Sequence, residues 1–205
     1  MLTRLTEIDG NAAPLPIENL DTDQIMPKQF LRIIDKAGLS EGLLYDLRFD
    51  AEGEPRPGCV LNQTAYRGAR ILIGGSNFGC GSSREHAVWG LQQFGFEAVI
   101  APSFAEIFYS NAMNNRLLLV QLDREAVDVL MQDAATHPAA RLHIDIEQQT
   151  VTTVTGRTFT FPLGARHKQM VIEGMDTIDI TLASLPAIDA FESTHFERHP
   201  WAAVL

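Results

Sequence analysis

The sequence predicts an α/β fold with a parallel sheet at its core, an added antiparallel β region and a helical C-terminal extension. Three short apolar runs, at 70–74, 98–101 and 117–122, alternate with two segments of helical character, which is typical of a parallel sheet covered by helices. Apolar and polar residues then alternate between 142 and 161, which favours antiparallel strands with one solvated face. Beyond Pro162 the pattern is helical.

The N-terminal part of the sequence offers fewer regular signals. Residues 18–25 are polar and turn-rich, Pro27 interrupts any helix, and an apolar segment starts at Phe30 and stops near Gly38. Between 46 and 62, acidic residues are mixed with two glycines and two prolines. We therefore predict a long surface excursion with little regular structure in that stretch.

The first central unit is a strand, a glycine-rich loop and a helix. The apolar run at 70–74 has the length of a buried strand, and the loop follows it at 75–81. Ser82 and Ser83 are favourable N-caps. We expect the helix to begin at these serines and to end at Gly95.

Two further strand–helix units follow along the chain. The strand at 98–101 is broken by proline, and Ser103 is expected to cap the helix behind it. The strand at 117–122 is followed by 123–136, where apolar residues recur three and four positions apart, as they do on one face of an amphipathic helix.

Composition excludes several classes of function. The 205 residues carry 16 Lys+Arg against 26 Asp+Glu, a formal charge of −10, which repels nucleic acid and anionic membranes. The apolar runs are too short to span a bilayer, and residues 1–10 do not resemble a signal peptide. Cys59 and Cys80 are too few for a disulfide framework or for an iron–sulfur cluster, which takes about four cysteines. We expect a soluble protein of a reducing compartment, the cytoplasm.

The stretch that carries chemistry is GGSNFGCGSSREHA, residues 74–87. Its glycines permit tight backbone conformations and close approach of a ligand. The loop leads into a predicted helix N-terminus, where free N–H groups and the positive end of the dipole favour an anion. Arg84 adds a guanidinium suited to a carboxylate. The pattern predicts an anion site that contains a serine.

Three familiar loop motifs do not fit this stretch. A P-loop requires lysine where Cys80 stands, and a dinucleotide fingerprint requires glycine where Arg84 stands. A hydrolase nucleophile elbow requires glycine where Phe78 stands. Phosphoryl transfer, nicotinamide chemistry and ester hydrolysis therefore lose their usual sequence support.

Simpler interpretations remain open for the same residues. The loop is also consistent with a tight turn, and His86 with a packed helix residue in place of a catalytic base. Cys80 is either a nucleophile with a lowered pKa or an inert small residue. Asp21 and Asp23 are consistent with a metal half-site or with a turn.

The serine loop, GSNFGCGSSREHA, resembles that of the swivelling domain of the aconitase superfamily, and the version with Cys80 resembles the 3-isopropylmalate dehydratase small subunits. NLDTDQIMPKQF at 19–30 is similar to the opening signature of those subunits, and 98–115 to their second block. The ending, 188–201, resembles the tail of their longer bacterial form. The resemblance implies a swivelling β/β/α domain over residues 1–185 with a helical tail at 186–205.

The same resemblance implies a partner and a reaction. The partner is a 3-isopropylmalate dehydratase large subunit that carries a [4Fe–4S] cluster, so this chain would bind no cofactor or metal itself. The reaction converts 2-isopropylmalate to 3-isopropylmalate by dehydration and rehydration, a step of leucine biosynthesis. Iron in the partner would act as Lewis acid on the leaving hydroxyl. The alternatives are a related hydroxy acid, of the citraconate/methylmalate or homoaconitate type, or an anion-binding module without catalysis.

The family pattern also assigns roles to residues of the loop. Ser82 would be the base, as an alkoxide stabilised by helix N–H groups and Arg84. Ser83 and Arg84 match positions that hold substrate carboxylate, and Asp23 matches an active-site aspartate.

A second segment would choose the substrate. Phe30, Leu31, Arg32 and Ile33 fall where the family has its substrate-choosing loop. Burying an isopropyl group there would contribute about 2 kcal/mol, which biases substrate choice without making it absolute.

Overall fold

A computed structural model describes residues 3–31 and 38–203. Its centre is a seven-stranded sheet with the strand order β4-β3-β2-β1-β5-β6-β7. The strands are β1 (Glu7–Leu15), β2 (Ile71–Gly74), β3 (Ala98–Ala101), β4 (Leu118–Gln121), β5 (Arg141–Asp145), β6 (Thr150–Thr152) and β7 (Thr158–Thr160). The mixed sheet confirms the predicted α/β class.

Helices pack around this sheet. They are α1 (Thr22–Ile25), α2 (Leu39–Gly42), α3 (Tyr45–Arg48), α4 (His86–Phe94), α5 (Glu106–Asn114), α6 (Arg124–Thr136), α7 (Ala165–Glu173), α8 (Thr177–Leu182) and α9 (Leu185–Arg198). Among the described residues, we find no helix with the length and apolar character that crossing a membrane requires.

The parallel half of the sheet has the predicted strands. β2 pairs with β3 through Leu72 opposite Val99, and β3 pairs with β4 through Val99 opposite Leu119. Every residue of β2 and β3 is buried, as expected for strands covered on both faces. α4 ends at Gly95, which has a φ of +115° and confirms the predicted stop.

The strand β1 was not predicted, although it occupies a central position. It pairs in parallel with β2 through Ala12 opposite Ile71, and antiparallel with β5 through Ile8 opposite Ile144. Its sequence, EIDGNAAPL, contains a glycine, a proline and an aspartate, residues that are uncommon in strands. β1 joins the parallel and antiparallel halves into one sheet.

The antiparallel region and the C-terminal helices were both predicted. β5 alternates between exposed or half-buried positions and the buried Leu142 and Ile144, which gives one core face and one solvated face. α7 buries Met170, Val171 and Ile172, whereas none of the residues of α9 is buried.

Two helices begin later than predicted. α4 begins at His86, with Glu85 as N-cap, instead of at Ser82 or Ser83. α5 begins at Glu106, because the Ser103 hydroxyl accepts the Asn77 N–H at 2.8 Å and so serves the glycine loop. In both cases contacts between distant segments use the serine that local capping preference would have placed on the helix.

The stretch from 46 to 62 forms the predicted surface excursion. Residues 51–58 are exposed, and the regular structure consists of the end of α3 and a 3₁₀ turn at Val60–Asn62. The Arg48 guanidinium donates to the Leu43 carbonyl at 3.1 Å, which ties the start of the excursion to the body of the protein.

Candidate active site at the carboxyl ends of three parallel strands

Three segments that follow β1, β2 and β3 meet at one edge of the sheet. Gly79 donates its N–H to the Leu20 carbonyl at 2.8 Å, and Thr22 donates its N–H to the Cys80 carbonyl at 2.8 Å. On the other side of the loop, Phe78 donates its N–H to the Ser103 carbonyl at 3.0 Å. The glycine loop therefore lies between the segment after β1 and the segment after β3, at the carboxyl edge where α/β proteins place ligands.

Close packing explains two of the glycines. A Cβ on Gly75 would lie 2.7 Å from the carbonyl carbon of Ile17. Gly79 has a φ of +77°, and a Cβ there would clash with the ring of Phe108. The loop thus needs glycine for contact with its neighbours as well as for its backbone conformation.

A charged group fixes the start of the loop. The Glu18 carboxylate accepts the Ser76 N–H at 2.7 Å and forms an ion pair with Arg124, at the start of α6. The hydrogen bond from Arg124 lowers the pKa of Glu18, and the Ser76 N–H acts in the same direction. Glu18 is therefore ionised whenever the loop is held in this arrangement near neutral pH.

Ser82 lies half-buried beside Thr22, from the segment after β1. The Thr22 hydroxyl accepts the Ser82 N–H at 3.0 Å, and its oxygen lies 3.0 Å from Ser82 Oγ and 3.2 Å from the Ser82 carbonyl. Thr22 itself is only 1% exposed. These contacts hold residue 82 outside the helix, which explains why α4 starts at His86.

Asp23 and Arg84 form an ion pair next to Ser82. Arg84 Nη1 binds Asp23 Oδ1, and Lys28 Nζ lies 3.8 Å from Asp23 Oδ2. The Arg84 side chain is 29% exposed. A guanidinium has five N–H donors, so one bond to Asp23 orients the group and leaves other donors for a ligand.

The N-terminus of α4, which begins two residues after Arg84, has no side-chain cap. Glu85 occupies the N-cap position and makes no capping hydrogen bond through its side chain. Asn111, on α5, donates to the Ser83 carbonyl at 3.1 Å and steadies the chain just before the helix. The first N–H groups of a helix have no partner within the helix, so they add donors for an anion beside Arg84.

The structure distinguishes among the open interpretations. Asp21 accepts the Gln24 N–H at 2.7 Å as part of a capping box, so the turn interpretation holds for this residue. Burial, with a smaller contribution from Asp21, raises the pKa of the Cys80 thiol, which disfavours a thiolate nucleophile. The His86 ring lies 4.9 Å from that of Trp89, as expected for a packed residue.

The sequence of this chain matches two family models and is similar to known proteins over nearly its whole length. A family model described as the aconitase C-terminal domain matches residues 2–125, and a second model, described as LeuD_N, matches residues 128–165. The 3-isopropylmalate dehydratase small subunit 1 of Chromobacterium violaceum is 56% identical over 200 residues, covering 98% of this chain and 94% of that protein. The corresponding small subunit of Roseobacter denitrificans is 48% identical, covering 98% of this chain and 100% of that protein.

The chain belongs to the 3-isopropylmalate dehydratase small-subunit family. This family supplies the hydro-lyase subunits that resemble the C-terminal domain of aconitase. A solved structure agrees: the crystal structure of 3-isopropylmalate dehydratase from Methanocaldococcus jannaschii superposes with a TM-score of 0.64 at 26% identity, and the match covers 90% of this chain and 99% of that one.

The segment that would choose the substrate in this small-subunit family is described only at its start. Phe30 and Leu31 are half-buried, and the Phe30 ring lies 5.1 Å from the ring of Tyr45 on α3. Phe30 thus anchors the start of the segment on the body of the protein. Arg32 and Ile33 lie outside the described residues.

The small-subunit chain offers few groups for a metal. Cys59 and Cys80 are both free, and a cluster takes about four thiolates, so the cysteines do not fit an iron–sulfur cluster. Among the described residues, Glu7, His143 and Asp145 bring one ligand atom each to within 4.8 Å of one another. They lie on the solvated face of β1 and β5, apart from the glycine loop.

Sequence reasoning missed Thr22. The residue stands between Asp21 and Asp23, a pair of carboxylates that the sequence analysis interpreted as a metal half-site or a turn. A single threonine does not by itself indicate a functional site. The signal lies in the contact between two segments some sixty positions apart, Thr22 and Ser82, which no local pattern reveals.

Proposed function

We propose that this chain is the base-bearing subunit of a two-subunit 3-isopropylmalate dehydratase, which interconverts 2-isopropylmalate and 3-isopropylmalate in leucine biosynthesis. The observation that carries this proposal is the meeting of Asp23, Ser82 and Arg84 at the uncapped start of α4. The similarity to small subunits of that name over 98% of the chain supports the choice of substrate.

The loop would bind a carboxylate of the substrate. Ser83, Arg84 and the first N–H groups of α4 form a set of donors, with Asp23 holding the Arg84 guanidinium in place. A carboxylate bound there would place the carbon beside it near Ser82. Binding by several fixed donors orients the reacting carbon before any bond breaks.

Ser82 would then act as the base. Its alkoxide takes the proton from the carbon next to the carboxylate, and hydroxide leaves the neighbouring carbon, so the substrate loses one water and gains a double bond. Hydroxide then adds to the carbon that lost the proton, and Ser82 returns its proton to the carbon that lost hydroxide, so that hydrogen and hydroxyl have exchanged places. A neutral serine is too weak a base for this step, so the site must stabilise the alkoxide.

The leaving hydroxyl would be assisted from the partner. The cysteines of this chain do not fit a cluster, so we assign the [4Fe–4S] cluster to the large subunit, where it would supply Lewis acidity. Free Cys59 and Cys80 support a reducing compartment, the cytoplasm. Phe30, Leu31 and Ile33 would contribute the apolar surface for the isopropyl group, and Arg32 belongs to the same segment of the sequence.

The test is an assay of the chain with and without its large subunit. We expect dehydration of 2-isopropylmalate only by the complex, and a loss of about 10²- to 10⁴-fold in kcat for S82A, because a general base is removed. The matched control is S110A, an exposed serine on α5, which should keep wild-type activity. Robust activity of the isolated chain would overturn the split site, and full activity of the S82A complex would overturn the base assignment.

A further inference from the structure

The contact between Thr22 and Ser82 can be followed from the backbone outward. The Thr22 N–H is bound to the Cys80 carbonyl at 2.8 Å, and the capping box of Asp21 and Gln24 fixes the turn that Thr22 begins. A β-branched side chain has few χ1 rotamers. With a fixed backbone and 1% exposure, the hydroxyl has little freedom to leave Ser82.

The hydroxyl has one proton to donate, and its direction can be worked out. Thr22 Oγ1 accepts the Ser82 N–H at 3.0 Å, which uses one lone pair. Its own proton then has two acceptors within reach, Ser82 Oγ at 3.0 Å and the Ser82 carbonyl at 3.2 Å. While Ser82 is neutral, either hydroxyl can donate across the contact between them.

Ionisation of Ser82 removes this ambiguity. An alkoxide only accepts hydrogen bonds, so the proton of Thr22 must point at Ser82 Oγ. Hydrogen bonds to an ionised oxygen are shorter and about twice as strong as neutral ones. The contact therefore favours the charged form of Ser82, and Thr22 keeps its own proton throughout.

The other groups suggested for this task are placed less directly. α4 starts four residues after Ser82, and Arg84 Nη1 is bound to Asp23. Thr22 Oγ1, by contrast, lies 3.0 Å from Ser82 Oγ. Because Thr22 is buried, water could not easily take over its role if the hydroxyl were removed.

We propose that Thr22 is a positioning residue that donates its hydroxyl to Ser82 Oγ and stabilises the serine alkoxide. The inference rests on the proposed function, because it needs Ser82 to act as the base. Thr22 is buried against Ser82 and acts on the reaction through that residue, so its loss should lower kcat and leave KM nearly unchanged.

The first experiment compares T22V and T22S in the complex with the large subunit. T22V keeps the shape without the hydroxyl and should lose about 100-fold in kcat, as when one oxyanion donor is removed. The limb of its pH profile that reports Ser82 ionisation should move to higher pH. T22S should stay within about threefold of the wild-type kcat, because the hydroxyl remains.

Two results would overturn the proposal. One is a T22V complex with wild-type kcat and pH profile, and the other is a T22S complex as impaired as T22V, which would assign the effect to the methyl group. Assembly and thermal unfolding are measured for each variant, and T22A is a second hydroxyl-free variant, judged by the same outcomes, if T22V does not assemble.

A second measurement does not depend on turnover. In the chain alone, S82C places a thiol at the same position, and alkylation by iodoacetamide at position 82 is followed against pH by peptide mapping, with Cys59 as internal reference. S82C/T22V should show its midpoint about one pH unit higher than S82C, since each unit reports lost stabilisation of the charged form. An unchanged midpoint contradicts the role of Thr22, whereas a wild-type complex without dehydratase activity contradicts the proposed function instead.

Discussion

Gly79 has a φ of +77° and lies against the ring of Phe108, so two separate constraints act on this single residue. Gly156 has a similar φ of +82°, but the space around it is open. Comparing the two glycines separates the cost of the backbone conformation from the cost of close packing in the glycine loop.

We expect G79A to lower the free energy of unfolding by about 2–4 kcal/mol, which combines backbone strain with overpacking. G156A should cost about 1 kcal/mol, because only the backbone term applies. Urea unfolding of both variants measures the difference. Equal losses would show that the Phe108 contact adds nothing.

Asp23 lies between two cationic side chains that differ in their exposure to water. Its carboxylate binds Arg84 on one side and lies 3.8 Å from Lys28 on the other. The Lys28 side chain is 75% exposed and that of Arg84 only 29%. The two partners of one carboxylate therefore differ in how strongly water screens them.

D23N should raise the KM of the complex for 2-isopropylmalate about tenfold, because Arg84 loses the charged partner that orients it. K28Q removes the exposed partner of the same carboxylate and should change KM little. Steady-state kinetics of both variants give the comparison. Similar KM values for D23N and the wild type would mean that Arg84 needs no orientation from Asp23.

The glycine loop is connected to helix α6 through an ion pair. Arg124 begins that helix, and its ion pair with Glu18 reaches the loop through the Ser76 N–H. The pKa of Glu18 is lowered in the fold, chiefly by the hydrogen bond from Arg124. A group with a lowered pKa in the folded state contributes stability above its unfolded pKa, and that contribution is lost as the pH falls through the folded pKa.

The loop should therefore stay anchored at neutral pH and lose this anchor only in acid, below the ordinary pKa of glutamate. Carbon-detected NMR titration of Glu18 in the wild type and in R124Q tests the cause. We expect R124Q to return the Glu18 pKa towards its ordinary value. A Glu18 pKa that is unaffected by R124Q would assign the shift to another group.

Elements that depend on local pattern could be predicted, and those that depend on distant partners could not. β2 and β3 are uninterrupted apolar runs, so their burial was visible in the sequence. β1 is broken by Asp9, Gly10 and Pro14 and becomes a strand because β2 and β5 flank it. The predicted starts of α4 and α5 were wrong for the same reason, since Ser82 and Ser103 bind other segments.

The candidate site was also only partly visible in advance. The loop and its charged residue Arg84 were singled out from the sequence, and the structure pairs Arg84 with Asp23. The contact between Thr22 and Ser82 could be predicted only by knowing which segments of the chain lie side by side. The roles of Asp23, Ser82, Ser83, Arg84 and the segment that starts at Phe30 stay predictions.

For the molecule as a whole, the C-terminal helices differ in how they attach. α7 buries three residues, whereas α9 buries none. Phe191 and Trp201 are 62% and 82% exposed. The division at about residue 185 between a folded domain and a tail stays a prediction.

A chain ending at Ser184 should therefore unfold cooperatively, with a Tm within about 3 °C of the full chain, the shift that 1 kcal/mol produces at this size. A chain ending at Gly164 lacks the buried residues of α7 and should be strongly destabilised. Calorimetry of both truncations makes the measurement. Loss of cooperative unfolding in the chain ending at Ser184 would place the tail within the domain.

The position of β1 affects how the chain folds during its own translation. It leaves the ribosome before both of its partner strands, since Ala12 pairs with Ile71 and Glu7 with Asp145. The nascent β1 therefore stays unpaired along its hydrogen-bonding edges until the residues between it and its partner strands have been translated. Such delayed pairing slows folding and exposes intermediates to aggregation, so this subunit should depend on chaperones during synthesis more than a protein built from local hairpins.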